Sequence, residues 1–499
     1  MRRLEILAAC LTVLAVAAPA GAQTLGRGAA EATARATLAA TGAGDPLDCL
    51  GPAGNPAPGT QAWQQRDLLN QACATQRLQD ELDSPAFGAT FWSETPGIFA
   101  TQTVEQLMQP THPHVTLAQT VPGGSTTDPY RTLARWTAAG RGRVDTVSFP
   151  ADDGATLNGH LLRPPARVRG PYPGIVITTG SIQGYQQMYY WAAEGLAEAG
   201  YEVLTYDVQG QGDSDTLPDQ AHCSSPSACS GVPFQQSYNF YQGTEDALNF
   251  FFSEKNPGRR QLDPRRVGIA GHSLGASAVS EVGQCDPRVK AIVAWDKLAT
   301  TSGKCADKAA HLPAGAPAAP SLKVPALGIH SEYFFNPEPM QSPPDPHAQD
   351  AAYKQLTTAG TDSMVVQLRS STHLEYTYVP YILPASRLGE RVAFYYTLAW
   401  FDRYLRHSSR ALARLTARTF DASADRSSIG AGTYDPAKAA AAPADTTAGN
   451  VPYTLKGLPV ADRMSFYYES EYTLTPNRGA QRTCTDLRAG CPAVAPPTP

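Results

Sequence analysis

The sequence has 499 residues, 42 of them glycine and 42 proline, and 40 basic against 45 acidic side chains give a formal charge of −5. That length has room for more than one domain. The mild acidity argues against nucleic acid or an anionic membrane surface as a partner.

Arg2 and Arg3 precede an apolar run from Ile6 to Ala18 that ends in Ala20-Gly21-Ala22. This pattern reads as a secretory signal peptide, residues 1–22, cut before Gln23. The run is too short to span a bilayer, and no later segment approaches the roughly 20 apolar residues a membrane helix needs. Leu7-Ala8-Ala9-Cys10 is the competing lipoprotein reading, but Cys10 precedes most of the apolar run instead of following it. The expectation is a secreted protein, extracellular or periplasmic, with no stable membrane insertion.

Outside the signal lie eight cysteines, an even number in an exported chain, which points to disulfides. They fall into sequence-local couples, Cys49–Cys73, Cys223–Cys229, Cys285–Cys305 and Cys484–Cys491. No C-x-x-C or paired-histidine spacing suggests zinc, so neither metal nor cofactor is expected.

Residues 23–142 are rich in Ala, Gly and Pro around one helix predicted at about Gln61 to Leu82, and read as an N-terminal extension packed on the main domain. From Arg143 the texture changes. "VDTVSFPADDGATLNGHLLRPP" reads as a hairpin around Asp-Asp-Gly. Then "PGIVITTG" (strand), a helix near Tyr189 to Ala199, "YEVLTYD" (strand), "GTEDALNFFFSE" (helix) and "RVGIAGHS" (strand) follow in turn. "GASAVSEVG" (helix), "VKAIVAWD" and "VPALGIHS" (strands), "HAQDAAYKQLTTA" (helix), "SMVVQLRS" (strand) and "ERVAFYYTLAWFDRYLR" (helix) complete the series. Nearly all-apolar strands alternating with helices indicate a mostly parallel central sheet with helices on both faces. Residues 407–499 form a C-terminal extension in which "AKAAAAPADTTAG" reads as a linker and "RMSFYYESEYTL" as a strand that could add to a sheet edge.

Within "VGIAGHSLGASAV", Gly271 and Gly275 flank Ser273 between a predicted strand and a predicted helix. This is the setting of a nucleophile elbow, where a tight turn projects a serine above the strand ends. A serine needs a base, and His373 lies just past the strand Met364 to Leu368. For the acid that orients the imidazole, Glu332 after "PALGIH" is favoured, and Asp296 after "AIVAWD" is the rival. The oxyanion donors are the backbone N–H groups of Leu274 and Ser181. Tyr185, Tyr189, Trp191, Phe334 and Phe335 suggest an apolar pocket, and either the N-terminal helix or the insertion from Thr300 to Ser321 could serve as a lid.

Together, "GHSLG", "YDVQGQGDSD" and the spaced Glu332 and His373 resemble the α/β-hydrolase superfamily, most like exported bacterial esterase and dienelactone-hydrolase-like members, over about Arg143 to Arg406. The resemblance implies a nucleophile, acid and base in the order Ser273, Glu332, His373. Two positions depart from it. Thr179-Gly180 stands where His-Gly is usual, and Phe334 stands where an Asp is usual. The expected activity is hydrolysis of a small-molecule or polymeric carboxylic ester through an acyl-enzyme. A peptidase or amidase on the same scaffold, and a catalytically silent binding protein, are the alternatives.

Overall fold

A computed structural model describes residues 56–82, 133–181, 185–215, 237–334, 343–377, 387–426, 433–434, 441–442, 450–451, 455–477 and 479–491. The expected signal peptide, the Cys223–Cys229 couple, Cys49, Phe335 and most of the expected linker lie outside them. The chain divides into two compact units, Met1–Cys73 and Ala74–Pro499. The first holds the start of helix α1 (Gln61–Leu82). Its entry is fixed by Thr60, whose Oγ1 accepts from the Trp63 N–H at 3.2 Å.

The larger unit takes in the rest of α1, and its next described element is a short helix, α2 (Leu133–Ala138), whose Trp136 donates through Nε1 to Glu198 at 2.8 Å. The hairpin follows as β1 (Arg143–Pro150) and β2 (Thr156–Arg163), antiparallel with Phe149 opposite Leu157. Next come β3 (Tyr172–Thr178), helix α3 (Tyr190–Glu198), β4 (Glu202–Tyr206), helix α4 (Ser237–Phe252) and β5 (Leu262–His272). Helix α5 (Leu274–Cys285), β6 (Val289–Trp295), β7 (Ala326–Ser331), helix α6 (Ala351–Thr358), β8 (Ser363–Leu368) and helices α7 (Arg387–Tyr404) and α8 (Ser409–Leu415) continue the alternation. A small ribbon, β9 (Thr433–Tyr434) with β10 (Asn450–Val451), precedes β11 (Glu471–Leu474) and β12 (Arg482–Cys484).

The main sheet has ten strands in the order β1-β2-β4-β3-β5-β6-β7-β8-β11-β12. Strands β4, β3, β5, β6, β7 and β8 are parallel neighbours, and antiparallel pairs close both edges. The continuous apolar runs have their physical reason here. In β3, β4, β7 and β8 every residue is buried, because helices cover the sheet on both faces. On one face α4 and α5 pack Phe251, Ala278 and Val282 against Val176 and Ile269 of the sheet. On the other, Gly268 leaves room for Phe401 of α7, where an added Cβ would stand 2.7 Å from the ring.

The alternating stretch expected near the C-terminus meets β8 through a single bridge from Met464 to Leu368 and then through its last residues, with Glu471 opposite Val365. Two expected disulfides are present, Cys285–Cys305 and Cys484–Cys491, and Cys73 is also disulfide-bonded. The insertion from Thr300 to Ser321 is fastened at the far end of α5 from Ser273. Cys305 is bonded to Cys285, Ser321 N–H donates to Gln284 O at 2.8 Å, and Lys308 pairs with Glu281 at 3.1 Å. A 12-residue helix is about 18 Å long, so these ties hold the segment away from the nucleophile and a lid over Ser273 is not what they build.

Because Cys285 and Cys305 close a loop of 20 residues, replacing both with serine should cost about 3 kcal/mol. Urea denaturation of the oxidised wild type and the double variant measures it, and an unchanged midpoint would mean the loop needs no covalent tie.

Candidate active site

Strand β5 runs straight into Ser273, whose backbone sits at φ 57° and ψ −120° before α5 begins. A non-glycine residue is uncommon in that region, and a structure that keeps one there stores about 1–3 kcal/mol. The turn closes only because its flanks are glycine. A Cβ on Gly271 would lie 2.4 Å from Gly275 O, and one on Gly275 would lie 2.3 Å from Thr179 O. Ser273 Oγ makes no cap to its own helix and instead meets His373 Nε2 at 2.9 Å.

His373 opens a short 3-10 turn just past β8, and its own N–H donates to Phe334 O at 2.7 Å. Its Nδ1 lies 2.6 Å from Asp296 Oδ2. Asp296 follows β6, the strand beside β5, and is itself in the left-handed region at φ 38°. Its other oxygen accepts from Ser331 N at 3.2 Å. Burial pushes the Asp296 carboxyl up, but the hydrogen bond and charge of His373 outweigh it and hold the group below the usual carboxylate range. The structure thus brings Ser273, His373 and Asp296 into one hydrogen-bonded line.

Glu332, the favoured acid, is corrected by this geometry. Its carboxylate accepts from Ser370 N and, at 2.6 Å each, from Ser465 Oγ and Phe466 N. It ties the loop ahead of His373 to the C-terminal segment and leaves Nδ1 to Asp296. Sequence offered two carboxylates at strand ends. Which one reaches the base depends on the direction in which each side chain leaves its strand, and no local pattern encodes that.

Three further groups hold the line in place, and the sequence assigned none of them that part. His272 bridges the base and the oxyanion loop. Its Nε2–H donates to His373 O at 2.8 Å, and its Nδ1 accepts from Tyr189 O–H at 2.9 Å. Tyr189 O in turn accepts from Gly180 N–H at 2.9 Å. Burial, then the neighbouring His373, pushes His272 down to about 3, so it serves as a neutral strut. His330 accepts from Leu298 N at 3.0 Å, which fixes the turn that carries Asp296, and burial holds it down at about 3 as well.

The "YDVQGQGDSD" stretch is the third support. Buried Asp207 accepts from Gln186 N at 2.8 Å and Asp213 N at 3.1 Å, setting the turn that leads into Tyr189. Gln211 Nε2 donates to Gly180 O at 3.0 Å and Thr179 Oγ1 at 3.2 Å. The loop after β3 is thereby held against the elbow, and a Cβ on Gly180 would stand 3.1 Å from Ser273 Cβ. Since the Gly180 N–H is already given to Tyr189, the next N–H on that loop is Ser181, the expected second donor. Leu274, first residue of α5, carries an N–H with no acceptor inside its helix.

The aromatic residues divide. Tyr185, Tyr189 and Trp191 are buried, and Trp191 packs on Trp295 with ring centroids 5.1 Å apart. They form the floor behind the site. Phe334 is 59% exposed with its ring 5.0 Å from His373, so it borders the site from outside.

A family model described as "Alpha/beta hydrolase family" matches residues 175–425. Similar proteins include the thiohydrolase apmlB of Arthrinium phaeospermum, 34% identical over 153 residues, which are 31% of this chain and 43% of that protein. Hydrolase LUC6 of a Fusarium species is 32% identical over 163 residues, 31% of this chain and 34% of its own. The 20-hydroxy-prefusarin hydrolase FUS2 of Gibberella moniliformis is 26% identical over 155 residues, 31% of this chain and 33% of its own. The matched stretch is less than half the length of each of these fungal proteins.

Asp296→Asn is expected to lower kcat about ten-thousand-fold, while Glu332→Gln should lower thermal stability and leave kcat within about tenfold. Steady-state kinetics and melting curves on both variants check this, and a reversal of the two effects would return the acid to Glu332. A pH prediction comes from the histidines. Their folded values lie below the ordinary 6.5, so burying them neutral contributes stability that is complete above about 6.5 and is lost as pH falls toward about 3. Melting temperatures across that interval should fall less steeply in His330→Gln than in the wild type.

Proposed function

The chain belongs to the alpha/beta hydrolase family, and from that premise we propose that it is an exported serine hydrolase that cleaves carboxylic esters through an acyl-enzyme. One observation carries the reading: the unbroken line from Ser273 Oγ through His373 to Asp296, with contacts of 2.9 and 2.6 Å. Ser273 Oγ attacks the ester carbonyl while His373 Nε2 takes its proton. The imidazolium so formed is stabilised by Asp296, which stays ionised. The oxygen of the tetrahedral intermediate draws on the N–H groups of Leu274 and Ser181, and the N-terminal end of α5 adds its dipole. His373 passes the proton to the departing alkoxide, leaving Ser273 acylated. Water activated by His373 then releases the acid and restores the serine.

Export is supported by the basic and apolar start of the sequence and by the disulfides Cys285–Cys305 and Cys484–Cys491, which persist in oxidising compartments. A thioester substrate is the second reading, favoured by likeness to a protein named a thiohydrolase. The same machinery serves both, because the tetrahedral intermediate differs only in its leaving group.

The test is hydrolysis of p-nitrophenyl acyl esters and matched acyl thioesters by the full chain, with Ser273→Ala in parallel. Ester turnover that falls by about a million-fold in the variant is the expected result. Faster thioester turnover would transfer the reading to thiohydrolysis. Cleavage of peptide anilides alone would make it an amidase, and no labelling of Ser273 by a fluorophosphonate would leave a silent scaffold.

A further inference from the structure

A second cluster of chemistry-bearing residues lies where the C-terminal strand joins the sheet, and none of its members takes part in the Ser273 line. His347 precedes α6, Asp350 sits at the start of that helix, and Glu469 and Glu471 lead into and begin β11. The two segments are clamped by Glu469 N–H donating to Pro346 O at 3.1 Å. Thr473 bonds Tyr353 of α6 at 2.8 Å, so the alternate residue Glu471 faces the same way.

Three carboxylates converge on one ring nitrogen. His347 Nδ1 lies 3.0 Å from Asp350 Oδ2, 3.6 Å from Glu469 Oε2 and 3.9 Å from Glu471 Oε1. A lysine, Lys354, pairs with Asp350 at 2.7 Å and balances one of these charges, leaving two. The second observation is independent of that convergence. Glu471 is only 5% exposed, and its Oε1, the atom aimed at His347, has no hydrogen-bond partner. A buried carboxylate oxygen without a donor is costly, and a cation is the partner that the surrounding groups are arranged to receive.

We propose that His347, Glu469 and Glu471, with Asp350 beside them, bind one divalent transition-metal ion, zinc being the best match. The ligand atoms of His347, Glu469 and Glu471 lie within 4.8 Å of one another. Small side-chain rotations bring them to the roughly 3.3 Å separation that bonds of about 2.0–2.1 Å require in a tetrahedral site. An imidazole among carboxylates suits zinc, whereas calcium and magnesium favour all-oxygen shells. The site joins residues more than a hundred positions apart in sequence, which is why local spacing carried no metal signal. Its role is to pin β11 to the edge of the sheet beside β8, adding stability without entering the reaction.

Titration calorimetry of the metal-stripped full chain with zinc chloride tests the site, with calcium and magnesium chloride alongside. The expected result is one zinc per chain and a melting temperature that rises with zinc. His347→Ala and Glu469→Gln should each weaken binding about tenfold or more. Both side chains are partly exposed, so both variants should fold, and unchanged circular dichroism confirms it. Absence of a saturable zinc isotherm in the wild type would overturn the proposal. Undiminished binding in both variants, or tighter binding of calcium than zinc, would overturn it equally.

Discussion

The backbone of Ser273 is held in the left-handed region at φ 57°, and the site is organised around that strained turn. Nothing local keeps a serine there. The conformation persists because β5 is hydrogen-bonded on both sides by β3 and β6, and because α5 is buried against the same strands. Relaxing the turn would break sheet register or unseat a helix, either of which costs more than the strain itself. The gain is that Oγ stands clear of its neighbours and at the start of a helix, where negative charge is favoured.

Around this fixed point the partners arrive from separate strand ends. Asp296 comes from β6 and His373 from beyond β8, with β7 between them in the sheet. Backbone and side-chain groups from that intervening strand and its following turn do the fastening. Ser331 donates to Asp296, His330 holds the Leu298 N–H, and Glu332 anchors Ser370 and the segment at Ser465. On the opposite side His272 and Tyr189 connect the base to the Gly180 loop. The base and the oxyanion loop are therefore set by one continuous hydrogen-bond path, so displacement of either should be felt by the other.

The features legible in sequence are those whose physics is local. Apolar runs such as "PGIVITTG" and "SMVVQLRS" announced buried parallel strands, and "GHSLG" announced a turn that only flanking glycines allow. The His373 position was readable because a base must follow a strand end on the same edge. The acid was not, because Asp296 and Glu332 satisfy the same local description and differ in where their side chains point. The supporting groups were hidden for a related reason. The function of His272 as a strut appears only when Tyr189, distant by 83 positions, is brought against it. Glu471 carried no signal within its alternating stretch, and pairing with β8 buries it beside His347.

The structure of a covalent phosphonate adduct tests the central claim most directly, since phosphorus mimics the tetrahedral centre. The account predicts phosphorus bonded to Ser273 Oγ and its oxygen about 2.7–3.1 Å from the N–H groups of both Leu274 and Ser181. His373 should remain between Ser273 and Asp296. A phosphoryl oxygen directed away from both N–H groups, or a His373 ring turned to Glu332, would contradict it.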